Sequence, residues 1–445
     1  MGHGHGPQNG LTERLPRMMR LSRAGLWRHP DFLKFWIGET ISLIGSQVTL
    51  IALPLTALYT LHASVVQVGL LNGVAAVPSL LFGLFAGAWV DRRRRLPVLI
   101  GASLGRAVLL GAIPVAALLH LLSLYDLYAV AFLTGFLSMV SGAAYQPYLP
   151  TLAPPDQLVE GNSKMEVSRA IARVSGPSLG GVAVGLVGAP MAIALDALSY
   201  LASALSLHAI RTPERTLAPP PQPQSMWRDI GEGVRLVLGN PLLRAIAGQT
   251  GTGIFISTIS TTVYLLYVTR ELGFTPVVLG ILLAIGGVGA LVGSLVAAPI
   301  TRRLGVGPTI VWTQLLTGVS ALLVPLAGRG TGTAALVAFL LLAAAQALQG
   351  VLIVIYDVNW ISLLQTVVPG HTQGRVNATL GVLIWSLQPV GAVLAGVLAT
   401  LIGLRLTLLL AAVGWSLVVL WPFCSPLRTL RTLTPSPEPA PSLPE

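Results

Sequence analysis

A few ionisable side chains lie inside long apolar runs of this sequence. The acids are Glu39, Asp196 and Asp357, and the bases are Arg106 and Arg173. A charge within hydrocarbon is costly and usually functional, because it needs a partner or a water-filled cavity. Since carboxylates in such places can take up and release protons, these five residues are candidates for proton coupling.

Two of these candidates also have structural alternatives. Glu39 lies close to one end of its apolar run, where an interfacial anchor or a gate is as reasonable as a proton site. Arg173 shares one helical face with Glu166 and Arg169, so these three residues could form a structural network.

Polar and aromatic side chains near the charges indicate a substrate cavity. Asp357 lies within Tyr356-Asp357-Val358-Asn359-Trp360, which combines an acid with aromatic and amide groups, as a site for bulky, partly cationic, mostly apolar ligands requires. The alternative is that Asp357 pairs with an arginine at its helix end. The first and seventh runs also carry polar stripes at helical spacing. The candidate cavity residues are Ser46, Asn72, Tyr145, Gln146, Thr261, Tyr264, Tyr356, Trp360, Trp385 and Gln388.

The elements that must position these residues are membrane helices. Of the 445 residues, 53% are hydrophobic and only 10% are charged, whereas a soluble domain carries roughly a quarter charged residues. Twelve apolar runs of spanning length lack the alternation of barrel strands, so the predicted fold class is an all-α polytopic membrane protein. The runs are 35–60, 66–90, 97–122, 126–150, 165–187, 190–210, 243–268, 277–300, 308–327, 333–363, 376–402 and 404–424.

The basic residues predict how the helices are oriented. Most of the 27 Lys and Arg residues fall on the side of the map that holds both chain termini. The positive-inside rule therefore predicts cytoplasmic termini and, in a bacterium, the inner membrane. Topology also explains the net charge of +11 better than nucleic-acid binding does. The one cysteine, Cys424, excludes an intramolecular disulfide and a zinc cluster of several thiolates.

A proline-rich connection between Arg211 and Gln224 divides the runs into two sets of six. It is stiff and extended, and the amphipathic segment after it is predicted to lie on the inner membrane surface. The predicted organisation is a basic N-terminal tail (1–30), a six-helix bundle (31–210), a linker with an amphipathic helix (211–240), a second six-helix bundle (241–424) and a proline-rich tail (425–445).

The two halves look like duplicated units. Gly83-x-x-x-Gly87-x-x-x-Asp91-Arg92-Arg93 is echoed at the same spacing by Gly293-x-x-x-Ala297-x-x-x-Thr301-Arg302-Arg303. Pro177 and Pro389, each among small residues, form a weaker second echo. The repeat predicts two pseudo-symmetric six-helix bundles around one central cavity.

Motifs in this order resemble the major facilitator superfamily of secondary transporters. Residues 91–95 are similar to its signature loop, with Arg94 where glycine is common, and residues 176–181 are similar to the glycine-proline motif of its exporter branches. Segments 147–162 and 362–378 resemble the macrolide-efflux and enterobactin-exporter group. The fourth run lacks the arginine that drug–proton antiporters often carry there, so any proton coupling must use other residues.

The resemblance implies roles for two motifs. The first is a conformational latch that forms in one state and opens when the halves rock, although the charges could also serve topology alone. Its residues are Gly87, Asp91, Arg92 and Arg95. The second is the exporter motif, which bends the fifth helix and lets another helix approach closely. Its residues are Gly176, Pro177, Gly180 and Gly181.

The sequence thus predicts a secondary transporter that exports amphipathic or hydrophobic small molecules, by proton antiport with alternating access. A dedicated exporter of one metabolite, such as a siderophore or lysophospholipid, is the alternative within transport. No HExxH, clustered Cys/His or nucleophile-elbow sequence points to an enzyme, and no folded soluble domain points to a scaffold. We expect a monomer in the lipid bilayer, with no cofactor, no metal and no nucleic-acid partner.

Overall fold

The computed structural model describes residues 26–90, 92–154, 157–214, 226–367 and 370–429. Within these ranges every regular element is a helix. Twelve of the helices are long and apolar enough to cross a membrane, which confirms the predicted fold class. Most of both predicted chain tails and most of the proline-rich linker fall outside the described residues.

Each half of the chain supplies six of the spanning helices. The first half contains α1 (Pro30–Leu55), α2 (Val65–Val90), α3 (Arg95–Leu118), α4 (Leu124–Leu152), α5 (Leu158–Val187) and α6 (Ala189–His208). The amphipathic helix α7 (Met226–Gly239) follows. The second half contains α8 (Pro241–Leu266), α9 (Pro276–Leu304), α10 (Val306–Ala321), α11 (Thr333–Val367), α12 (Gly370–Ile402) and α13 (Leu404–Val418).

Successive crossings place the two ends of the described chain on one face, which we call the termini face. The start of α1, the loop between α2 and α3, and the end of α13 all lie there. We call the opposite face the far face. Capping side chains fix several helix starts: Ser123 and Asp126 form a capping box at α4, and Asn240 caps α8.

The two halves repeat each other in detail. Helices α1 and α8, the first of each half, both end in a single π-helical turn, at Thr56–Thr60 and Tyr267–Glu271. The fifth and sixth helices of each half are joined through one glycine, Gly188 or Gly403, with φ values of +85° and +86°. Only glycine adopts this conformation without strain. The shared irregularities support the pseudo-symmetric arrangement of two six-helix bundles.

The bundles contact each other chiefly through two helix pairs, α2 with α12 and α5 with α9. At Gly69 on α2, an added Cβ would lie 2.7 Å from the Ala392 carbonyl oxygen on α12. At Gly280 on α9, it would lie 2.9 Å from the Pro177 carbonyl oxygen and 3.0 Å from Gly181 Cα on α5. These contacts lie in the far halves of the helices and require glycine, so the far face is tightly closed.

Cys424 allows the orientation to be tested. It is the only cysteine of the chain, its side chain is exposed, and it follows α13 on the termini face. If this face is cytoplasmic, a membrane-impermeant maleimide will label Cys424 in inside-out vesicles but not in intact spheroplasts. A Cys424→Ser, Thr331→Cys variant, with its cysteine in a far-face loop, should give the opposite result. Labelling of Cys424 in intact spheroplasts would contradict the predicted topology.

Candidate functional site

The charged residues inside the first bundle form one polar cluster. Arg106 on α3 donates a hydrogen bond from Nη1 to the Tyr200 hydroxyl on α6 at 2.9 Å, and its guanidinium lies 4.1 Å from the centroid of that ring. The Tyr200 hydroxyl is 2.6 Å from Ser46 Oγ on α1. Arg106 also donates to Ser141 Oγ on α4 at 3.2 Å. One cation therefore links four helices of the bundle.

Arg106 places a positive charge beside α4, which lacks the arginine that drug–proton antiporters often carry in their fourth helix. Arg106 starts on α3 and reaches both Ser141 and Ser138 of α4, the second at 3.5 Å. A cation therefore lies against α4 although α4 carries none. No sequence spacing reveals this arrangement, because it depends on how α3 packs against α4.

Asp196 is the most deeply buried acid of the cluster, with 1% of its surface exposed. It lies one turn before Tyr200 on α6, and its carboxylate accepts a hydrogen bond from Ser199 Oγ at 3.0 Å. On the facing helix α1, a Cβ at Gly45 would lie 2.6 Å from Asp196 Oδ1, so glycine makes room for the carboxylate. Arg106 acts on Asp196 electrostatically, but no cation of the described chain lies within 4.0 Å.

Glu39 lies about two and a half turns from the start of α1. Arg106 and Arg169 attract its carboxylate electrostatically. Among the residues described, no cation lies within 4.0 Å of that carboxylate. Arg169 is instead paired with Glu166 at 2.6 Å and lies 5.3 Å from the Tyr145 ring centroid. Glu166 and Arg169, two members of the predicted structural network, are therefore in contact, and Glu39 lies close to this pair.

Arg173 and Asp357 come from different bundles, on α5 and α11. Both side chains are exposed, and Arg173 acts electrostatically on the Asp357 carboxylate. Their charged atoms are more than 4.0 Å apart, so they form no ion pair in this state. Opposite charges thus face each other across the space between the bundles.

The aromatic neighbours of Asp357 lie on another side of α11. Tyr356 and Trp360 stack with ring centroids 6.0 Å apart and pack against the hydrophobic cluster that includes Leu243. Asn359 is 2% exposed and donates to Thr301 Oγ1 on α9 at 2.9 Å. These residues hold the second bundle together at its termini end, and their predicted role in substrate binding stays a prediction.

A cavity of about 600 Å³ lies between the bundles, beneath the closed far face. Helices α1 and α2 form one side, and helices of the second bundle form the other sides. Four predicted cavity residues line it: Asn72, Thr261, Tyr264 and Gln388. The hydroxyl of Tyr264 is buried and has no hydrogen-bond partner in the described part of the chain.

The remaining predicted cavity residues are placed elsewhere. Ser46 and Tyr145 belong to the polar cluster of the first bundle. The side chains of Gln146 and Trp385 lie outside the described part of the chain. The cavity therefore uses only part of the predicted set.

Sequence reasoning missed several wall residues, among them Gln346 and Gln349 on α11 and Trp415 on α13. The spacing of the two glutamines could have revealed them in the sequence, because two amides three residues apart in an apolar helix share one face. Amide and hydroxyl groups provide the polarity of the wall, and none of the described lining side chains is charged.

The structure places the predicted latch residues in different surroundings. Asp91 lies outside the described residues, Gly87 lies within α2, and Arg92 is exposed. Arg95 is buried, with 7% of its surface exposed.

Arg95 fastens the start of α3 inside the first bundle. Its Nη1 donates to the Pro147 carbonyl oxygen on α4 at 3.0 Å. Its backbone N–H donates to the Glu214 carboxylate at 2.8 and 2.9 Å, at a helix N-terminus where an anion is favourable. Arg95 therefore joins α3 to α4 and to the segment after α6.

The exporter motif on α5 faces two helices at once. A Cβ at Gly180 would lie 3.2 Å from Val48 Cα on α1, and Gly176 faces Gln47 on the same helix. Gly181 instead faces α9, where it contacts the backbone of Pro276. The motif therefore allows close packing both within the first bundle and across to the second.

Two six-helix bundles around a central cavity, with ionisable groups inside the bundles, define a secondary transporter of the major facilitator class. The chain belongs to the transmembrane secretion effector family of that superfamily, whose family model matches residues 23–443.

Curated relatives agree with this membership. The chain is 27% identical over 381 residues to the multidrug efflux pump Tap of Mycolicibacterium fortuitum, covering 82% of this chain and 88% of Tap. It is 26% identical to the enterobactin exporter EntS of Citrobacter koseri, covering 93% of this chain and 96% of EntS. It is 21% identical to macrolide efflux protein A of Streptococcus pyogenes, covering 90% of this chain and 97% of that protein. The predicted superfamily and group are confirmed.

Solved structures share the fold. A bacterial homologue of the iron transporter ferroportin in its inward-facing state gives a TM-score of 0.69 at 14% identity, covering 88% of this chain and 98% of that one. An outward-facing structure of such a homologue gives 0.56 at 16% identity, with the same coverage. Both have the two-bundle fold described above.

The closure of the far face depends on small residues, so a larger one should open it. Gly181→Leu places a side chain against Pro276, and overpacking of this kind costs roughly 1–3 kcal/mol. In a Cys424→Ser background with Gln388→Cys in the cavity, we expect Gly181→Leu to increase maleimide labelling from the far side. Gly142→Leu, where a Cβ meets open space, should leave labelling unchanged. Equal labelling of both variants would contradict the closure described.

Proposed function

We propose that this protein exports amphipathic or hydrophobic small molecules from the cytoplasm, by proton antiport with alternating access. The observation that supports this most is the cavity between the bundles, closed at the far face and separate from a cluster of buried charges in the first bundle. Substrate and proton would then use different sites of one chain.

The proposed direction requires that the termini face is cytoplasmic. Exposed arginines lie on that face in both halves, at Arg92–Arg94 and at Arg302 and Arg303. Short loops rich in arginine stay in the cytoplasm. We place the protein in the bacterial inner membrane with its cavity accessible from the cytoplasm, and we propose that one chain is sufficient because both bundles and the cavity belong to it.

Helix α1 offers a physical link between the proton site and the substrate site. Gly45 packs on Asp196, Ser46 is bound to Tyr200, and Leu50, one turn further along, lines the cavity. A proton on Asp196 would remove its attraction to Arg106 and so alter the contacts that hold α1. Because α1 is a rigid rod, a shift there would move the cavity wall as well.

Arg173 and Asp357, which face each other between the bundles, could stabilise the outward-open state of the transport cycle. Arg173 and Asp357 are on opposite bundles and are not paired while the far face is closed. We propose that they pair when the bundles rock together at the termini face, which would stabilise the state open to the outside.

The cavity wall suits uncharged amphipathic substrates. Amides from Asn72, Gln346, Gln349 and Gln388 can donate and accept hydrogen bonds between apolar surfaces. The relatives are a multidrug efflux pump, a macrolide efflux protein and an enterobactin exporter. A dedicated exporter of one metabolite is the second candidate, because several fixed amides can select one hydrogen-bonding pattern. An enzyme is not proposed, since family and fold are those of transporters.

Proton coupling can be tested by neutralising the buried acids. In an efflux-deficient host, wild-type protein should exclude a neutral amphipathic dye such as Nile red, and a protonophore should abolish exclusion. Asp196→Asn and Glu39→Gln should each lower efflux by about tenfold, because a charge inside the membrane is rarely dispensable. Asp126→Asn, which changes an exposed acid at the α4 cap, is the matched control and should keep wild-type efflux. Full efflux by Asp196→Asn at equal membrane levels would refute its role.

The cavity can be tested through its amides. Gln346→Ala or Gln388→Ala should each remove about one neutral hydrogen bond, worth roughly 0.5–1.5 kcal/mol, or a two- to tenfold weaker apparent affinity. The measurement is the dye concentration at half-maximal efflux. Asn162→Ala, which removes an exposed amide of α5 outside the cavity, should show no shift. Unchanged affinity in both glutamine variants would place the substrate elsewhere.

A further inference from the structure

A second large hollow lies on the outside of the first bundle, between α2 and α3, and we call it the lateral groove. Its volume is about 920 Å³, and α4 forms its floor. Phe82 and Phe136 meet edge to face in it, with ring centroids 5.6 Å apart. The apolar side chains that shape it are Phe82, Trp89, Pro97, Val98, Phe136 and Val140.

The lateral groove faces away from the transport path. On α4, Ser138 and Ser141 bind Arg106. Phe136 and Val140 point to the other side of α4. Each residue turns a helix by about 100°, so this pair lies nearly half a turn from Ser138 and Ser141. The groove therefore opens toward the bilayer. Its large apolar rings are well exposed, as Trp89 shows with 49% of its surface, so an apolar occupant is favoured over water.

Three arginines border the groove at its termini end: Arg92, Arg93 and Arg94. All three are exposed, and none has an ion-pair partner within 4.0 Å in the described ranges. The Arg93 guanidinium lies 5.8 Å from the Trp89 ring centroid. Arg95, by contrast, is buried and committed to contacts within the bundle. At the mouth of an apolar groove, three positive charges therefore lack an acidic partner among the described residues.

We infer that the lateral groove binds an anionic phospholipid. Guanidinium groups form paired, charge-assisted hydrogen bonds with phosphate oxygens, so the headgroup would bind at Arg92–Arg94. An acyl chain would lie along the apolar floor, and Trp89 lies at the boundary, where tryptophan is favoured in membranes. Basic pockets between transmembrane helices recognise anionic headgroups in this way. This site does not depend on the proposed export activity.

The charge requirement is tested with purified full-length protein by native mass spectrometry. The probes are phosphatidylglycerol and phosphatidylcholine of equal chain length. We expect wild-type protein to retain phosphatidylglycerol with a preference of at least about tenfold, since each arginine near the headgroup adds attraction. Arg92→Gln, Arg93→Gln, Arg94→Gln should lose the preference. Arg302→Gln, Arg303→Gln, with charges removed from the equivalent loop of the second half, should keep it.

The groove itself is tested by filling it while all arginines remain. At Gly101 on α3, a Cβ meets no atom within 4 Å, so Gly101→Leu occupies the groove without a clash and favours the helix. This variant should bind much less phosphatidylglycerol, whereas Gly142→Leu, also in open space but on the other side of α4, should bind as the wild type does.

Free glycerol phosphate distinguishes a lipid site from a phosphate site. It should not compete, because the acyl chain contributes to binding. Equal retention of both lipids by the wild type, undiminished preference in the triple arginine variant, normal binding by Gly101→Leu, or competition by glycerol phosphate would each overturn the inference.

Discussion

The structure depends on how it accommodates charge inside hydrocarbon. Arg106 and Asp196 lie in the first bundle with no cation–carboxylate contact between them, and hydroxyl groups on α4 and α6 bind them instead. Isolated charges at this depth would be expelled or neutralised, so the surrounding helices must stay in register. A cluster held by hydroxyls, rather than by one tight ion pair, can exchange partners at low cost. That property suits a group which takes up and releases a proton.

A second constraint is the closeness of the bundles at the far face. Lipid provides no hydrophobic drive for helices to associate, so the contacts depend on backbone approach at small residues. Gly69 and Gly280 provide that approach in the two helix pairs that join the bundles. Because both pairs meet in the far halves of their helices, they can act together as a pivot. The cavity lies directly beneath this closure, where rocking would change access most.

Much of the fold could be predicted from sequence, because membrane helices are specified by composition along the chain. The twelve apolar runs, the duplicated halves and the exporter motif are all local signals. The site was harder to predict. Tyr356 and Trp360 are one turn apart and share a face, while Asp357 lies about 100° from Tyr356 and about 60° from Trp360, so neighbours in sequence diverge in space. Arg106 reaches α4 only through packing, and the amides of Gln346 and Gln349 show their importance only once the cavity exists.

The most direct measurement is transport by the purified protein in liposomes with a pH indicator inside and a neutral amphipathic dye. The protein should move dye only when a proton gradient is imposed, and each movement of dye should be accompanied by proton movement in the opposite direction. Dye transport that is indifferent to the gradient, with no change in internal pH, would contradict proton antiport. It would leave the buried acids of the first bundle with a purely structural role.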